Sequence, residues 1–214
     1  TLLPLILVSA GILGVTVYQM KQQAEEDLEQ RRASLIEDRR ATLRDLVDTA
    51  VTAIEPLYES GDSQAAKRQA AEMLRSIRYG KNGYVFVYDY DGNNVELPFS
   101  PDKQGTNMSG LKAPNGDYLV REFIERARDG GGFYQYPWLN PDSGNEAPKL
   151  SYIAGLDEWQ WAIGTGVYIA DIDAEIAALR DGLNAAIWRN ALVTVGLGLV
   201  AFVIVALLAV VMTR

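Results

Sequence analysis

The sequence predicts an α+β fold: an antiparallel sheet carrying a long N-terminal helix, flanked by two transmembrane helices. Three observations predict it. Residues 1–20 and 191–213 carry no charge, and about 20 mainly apolar residues let a helix cross the hydrocarbon core. Residues 21–59 repeat apolar positions at helical spacing. From Gly80 the chain turns to short β-branched and aromatic runs, broken by Gly, Asn and Pro. Helices first and a meander of strands afterwards make α+β rather than alternating βαβ units.

Residues 1–20 lack both an initial Met and a basic n-region, and no small-residue cleavage site follows. They read as a retained span of a longer protein. Tyr18 stands at the interface, and Pro4, Gly11 and Gly14 are tolerated within a membrane helix. Residues 21–190 form the extracytoplasmic part. They hold 19 of the 20 Lys and Arg and all 28 Asp and Glu, a formal charge of −9. At 170 residues they suffice for one domain with a real core.

Within that part, residues 21–59 read as one helix. Leu28, Leu35, Leu43, Leu46, Val47, Ile54 and Leu57 lie on one side and charges on the other. The stripe suits either a cover over a sheet or a contact with a second copy. Ser63 caps a second helix over residues 64–77. Residues 83–88 form a strand and Asp91–Asn94 a hairpin turn. Asp89-Tyr90-Asp91-Gly92 suits either an ordinary turn or a weak calcium loop whose spacing departs from an EF-hand. Residues 98–116 are a loop-rich stretch long enough to be functional. Residues 118–129 form a short helix ended by Gly130-Gly131-Gly132, and residues 133–138, 148–153 and 161–168 form three strands. The sheet-containing core thus covers residues 64–170. An exit helix over 171–190 leads past Trp188 and Arg189 into the second span, and Arg214 looks like a cut point.

Several function classes drop out. Without Cys there is no disulfide, thiolate nucleophile or Cys-bound metal, and without His the usual general base is missing. The acidic balance argues against nucleic acid. No paired-carboxylate or Ser–Lys spacing points to an enzyme, and no cofactor or metal is implied. Tyr134, Tyr136 and Trp138 share one face of a strand, as do Tyr84, Phe86 and Tyr88. They serve either as inert core or as aromatic walls of a pocket, since a buried Tyr hydroxyl needs a partner. Lys149 either edges into solvent or points a cation into the sheet. Tyr152 stands at the wrong parity to join it unless a bulge intervenes. A buried Lys with tyrosine hydroxyls suits a small carboxylate.

Four stretches carry a resemblance: Arg78-Tyr79-Gly80-Lys81-Asn82-Gly83-Tyr84-Val85-Phe86-Val87, Gly131-Gly132-Phe133-Tyr134-Gln135-Tyr136-Pro137-Trp138, Pro148-Lys149-Leu150-Ser151-Tyr152, and the run from Trp159 to Ile172. In order and spacing, over about residues 28–179, the chain resembles the single Cache domain, type 2. The resemblance implies a PAS-like sheet and a ligand pocket at Lys149, Tyr152, Tyr136 and Trp138, with Tyr84, Phe86, Arg78, Phe99 and Met108 as further candidates. It also implies a periplasmic sensor of a bacterial inner-membrane chemoreceptor, or less often of a histidine kinase or cyclic-dinucleotide enzyme. Such a protein is multi-pass and homodimeric, and a cytoplasmic output domain follows. Its ligands are short carboxylates such as acetate, propionate, pyruvate or lactate. Two positions depart from the family: Leu97-Pro98 stands where His-Pro is usual, and Ala113 where Asp is usual. The alternative from another class is a ligand-free module that docks a periplasmic protein, its cavity filled by its own side chains.

Overall fold

The computed structural model describes residues 3–80, 82–140 and 143–212. The outer ends of both expected spans (Thr1, Leu2 and Thr213), Lys81 of the family-like run, Pro141 of the expected turn and the cut point at Arg214 lie outside the described residues. The chain divides into two units, Leu35–Asp171 and Thr1–Ser34 with Ile172–Arg214. The division falls within both long helices, α1 (Leu3–Glu59) and α4 (Ala170–Met212).

Leu35–Asp171 is the α+β domain. Helix α1 ends where Gly61, with φ +104°, returns its N–H to the Tyr58 carbonyl at 3.2 Å. Ser63 then accepts from the Ala66 N–H at 3.1 Å and starts α2 (Gln64–Ser76). The strands are β1 (Arg78–Tyr79), β2 (Gly83–Asp89), β3 (Asn94–Glu96), β4 (Gly132–Leu139), β5 (Glu146–Leu156) and β6 (Trp161–Tyr168), with α3 (Leu119–Arg128) between β3 and β4. They pair antiparallel in the order β1-β2-β6-β5-β4, with β3 added on β2. The two short strands β1 and β3 had no periodic signal in the sequence. Asp89 accepts from the N–H groups of Asp91 and Asn93 at 3.1 and 2.7 Å and from the Asn93 amide at 2.8 Å. Its carboxylate thus organises the hairpin turn.

Strand periodicity of two divides the core. On one face Val85, Val87, Leu156, Trp161 and Ile163 pack with Val47, Ala50 and Ile54 of α1 and Ala66, Ala70 and Leu74 of α2. On the other, Phe86, Tyr88, Tyr134, Tyr136, Ile153 and Ala162 meet Leu119, Val120, Phe123, Ile124 and Ala127 of α3. Gly164 is required on this second face, because a Cβ there would stand 2.7 Å from Phe86 Cζ and 2.9 Å from the Tyr152 carbonyl. Leu43, Val47, Ala50 and Ile54 are fully buried. From Leu43 to Ile54 the α1 stripe covers the sheet of its own domain, whereas Leu35, Leu46 and Leu57 stay partly exposed.

The second unit holds the remainder of α1 and α4. Arg32 pairs with Asp173 at 2.9 Å and Arg180 with Glu25 at 2.8 Å, and Lys21 lies over the Trp188 ring at 5.2 Å. These ion pairs are solvent-exposed and contribute little each. Val8, Ile12 and Val15 of α1 and Leu192, Leu197, Leu199 and Val211 of α4 are exposed, an apolar surface of the kind a bilayer covers. Among the described residues one helix, Ala170–Val205, is long and apolar enough to cross a membrane.

Ile54→Ala removes a fully buried side chain from the seam between α1 and the sheet. It should destabilise the domain by about 2–5 kcal/mol. Asp45→Ala, on the exposed side of the same helix, should stay within about 0.5 kcal/mol of wild type. Thermal unfolding of the detergent-solubilised chain checks this; equal midpoints for the two variants would deny the seam its structural role.

Candidate ligand-binding site

The face of the sheet covered by α3 is not completely filled. A cavity of about 200 Å³ lies between β2, β4, β5, α3 and the loop after β3, lined by Tyr84, Phe86, Tyr88, Leu97, Phe99, Ser100, Lys103, Met108, Leu111, Leu119, Phe123, Tyr136, Trp138 and Lys149. A larger groove of about 530 Å³ runs beside α2. Of its three cations, Lys67 and Arg75 are already paired with Asp62 and Glu96 and Arg68 is exposed, and it holds none of the nominated residues. The smaller cavity is therefore the better candidate.

Lys149 is the centre of that cavity. On β5 it sits opposite Tyr136 of β4 and Tyr168 of β6, and it is 2% exposed. Its Nζ donates to the Tyr84 hydroxyl at 3.1 Å and lies 4.8 Å above the Tyr84 ring and 5.3 Å above that of Tyr168. Its stem passes over Gly166, where a Cβ would stand 3.0 Å from Lys149 Cε. Among the described residues no carboxylate lies within 4 Å of the ammonium. A buried cation held by hydroxyls and ring faces, without a counter-ion, is costly and favours an anion beside it.

The tyrosines complete the polar inventory. Tyr84 accepts from Lys149, so its own proton is available to donate. Tyr136 shares a 3.1 Å hydrogen bond with Ser151, and burial pushes its hydroxyl well above the ordinary tyrosine range. Burial also raises Tyr88, whose hydroxyl has no hydrogen-bond partner among the described residues. Trp138 meets Tyr136 edge-on at 6.2 Å, and Phe86 stacks on Phe123 at 4.8 Å. Phe99 is 63% exposed and meets Tyr84 edge-on at 5.0 Å, so it stands at the cavity mouth.

Seven of the nine nominated residues line this cavity: Lys149, Tyr136, Trp138, Tyr84, Phe86, Phe99 and Met108. Two do not. Uninterrupted pairing of β5 with β4 and β6 sends Tyr152 to the opposite face, with its ring 4.8 Å from Phe133 and 5.5 Å from the Arg44 guanidinium. Arg78 is exposed, donates to the Ile77 carbonyl at 2.8 Å and lies 5.7 Å over Phe99 on the outside. Of the two departures, Leu97 lines the cavity, whereas Ala113 is buried elsewhere. Sequence reasoning passed over Tyr88 as a site residue although it shares parity with Tyr84 and Phe86. It also passed over Leu119 and Phe123, which the apolar side of α3 carries. Ser100, Lys103 and Leu111 come from an aperiodic loop and left no signal.

The chain shares its sequence pattern and fold with known proteins. The chain is 38% identical to the sensor histidine kinase MctS of Rhizobium johnstonii over 97% of its own length and 43% of the relative's. Two further curated matches are methyl-accepting chemotaxis proteins of Pseudomonas species, and the chain spans less than half the length of each of the three relatives. A methyl-accepting chemotaxis protein from Vibrio parahaemolyticus superimposes with a TM-score of 0.63 at 36% identity, over 68% of this chain and 99% of that one. A Cache chemosensory domain solved for its recognition of carboxylic acids matches with a TM-score of 0.57 at 26% identity, over 64% and 97%. The Single Cache domain 2 family matches residues 35–181, and the chain therefore belongs to that family of sensor domains.

Proposed function

We propose that this chain is the sensing and membrane-signalling region of a bacterial inner-membrane receptor, and that it binds a short carboxylate in the cavity beside Lys149. The observation that carries the reading is a lysine that is 2% exposed, without a counter-charge among the described residues, in an aromatic cavity. A carboxylate there accepts charge-assisted bonds from Lys149 and from the free proton of Tyr84. The carboxylic acid-recognising neighbour supports the same chemistry. An open cavity of about 200 Å³ counts against the alternative of a pocket filled by its own side chains.

The signal route follows from connectivity. The Ile169 N–H donates to the Pro148 carbonyl at 3.0 Å, which ties the start of α4 to the residue before Lys149. In this reading residues 1–20 and 191–213 both span the membrane with residues 21–190 outside, and closure around the ligand shifts α4 relative to α1. Only a ligand with different affinities for two conformations can drive such a shift. A cytoplasmic output domain then follows residue 214, of the chemotaxis type in our reading. The relative at 38% identity favours a histidine kinase as the second reading. A homodimer belongs to either, with the part of the α1 stripe left partly exposed as its contact.

Titrating the solubilised chain with propionate should raise its apparent stability, by about 2.7 kcal/mol at a hundredfold excess over Kd. Lys149→Ala should abolish the gain, and Tyr84→Phe should weaken binding about tenfold. A gain that survives in Lys149→Ala would move the carboxylate site elsewhere.

Tyr88 and Tyr136 are held neutral by burial, with folded-state values above the ordinary 10.0. A raised value favours the protonated folded state. That contribution is complete below pH 10 and is lost as pH climbs through the folded-state values. Ultraviolet titration should therefore show a subset of the 11 tyrosines ionising only together with loss of circular dichroism. Ionisation of all of them near pH 10 with the fold intact would contradict the burial of these hydroxyls.

A further inference from the structure

The carboxylate reading leaves a second cation in the cavity unused. Lys103 closes the 3-10 turn Pro101–Lys103 and lines the cavity beside Ser100 and Phe99. It comes from the loop, whereas Lys149 comes from β5, so the two cations reach the cavity from separate elements. Among the described residues neither lysine has an ion-pair partner. Among the described residues the lining contains no Asp or Glu.

Charge favours a dianion: a monocarboxylate pairs with the buried Lys149 alone, whereas a dianion also engages Lys103, which is exposed and otherwise held only by water. Size allows it, since a cavity of about 200 Å³ admits a short monocarboxylate and a four-carbon dicarboxylate alike. Lys103 is exposed, and its flexible stem carries a compact charge that can follow a second carboxylate as the loop settles. We propose that the cavity selects dicarboxylates over monocarboxylates of equal length, Lys149 holding one carboxylate and Lys103 reading the other. The proposal rests on the carboxylate reading of the same cavity.

Calorimetric titration of the full chain in detergent, with succinate and butyrate as probes, tests it. Wild type should bind succinate about tenfold or more tightly than butyrate. Lys103→Gln, a change at an exposed site, should lower succinate affinity by about tenfold and leave butyrate unchanged. Lys149→Gln should weaken both acids. Equal affinity for the two acids, or a Lys103→Gln variant that weakens both alike, would overturn the dicarboxylate selection while the carboxylate reading stands. Binding of neither acid by a wild-type chain that unfolds cooperatively would overturn both.

Discussion

An ammonium group with no counter-charge among the described residues sits inside an aromatic cavity, and much of the domain can be read as what keeps it there. Lys149 is 2% exposed and, among the described residues, meets one hydroxyl and two ring faces in exchange for its hydration. A charge so placed is tolerated because the rest of the sheet is well packed. Val85, Val87 and Ile163 behind it are fully buried against α1 and α2. The packed face and the face that holds the cavity are thus opposite sides of the same strands.

That division explains where the cavity lies. The face toward α1 and α2 receives two helices and closes into a continuous apolar cluster. The other face receives one ten-residue helix and a loop carrying Leu97, Phe99, Met108 and Leu111. A short helix cannot cover a sheet of this width, and the uncovered part becomes the cavity. Its roof is the least regular part of the chain, as expected where specificity is carried by loops on a rigid scaffold.

The same strands connect the cavity to the membrane-directed helix. Lys149 pairs with Tyr168, and the next residue of the chain, Ile169, is hydrogen-bonded to Pro148. In the proposed function a movement of β5 toward an anion would pass through these backbone bonds to the first turn of α4. Arg39, paired with Asp171 at 3.1 Å, ties α1 to that same turn.

Much of this was legible in the residues. The uncharged termini, the helical stripe of α1, the Ser63 cap and the alternating aromatics of β2 and β4 all express local periodicity, and local periodicity needs no knowledge of neighbours. The parity of β5 already implied that Lys149 and Tyr152 part company, because a strand without a bulge sends them to opposite faces. What only the tertiary structure decided is which of two equally plausible faces became core and which became cavity, and what the loop between β3 and α3 contributes. Ser100 and Lys103 follow no repeat. Their place beside Lys149 depends on contacts between residues some fifty positions apart, and no sequence window contains such contacts. The physical reason is that burial is a property of the assembled layers, whereas periodicity is a property of one segment.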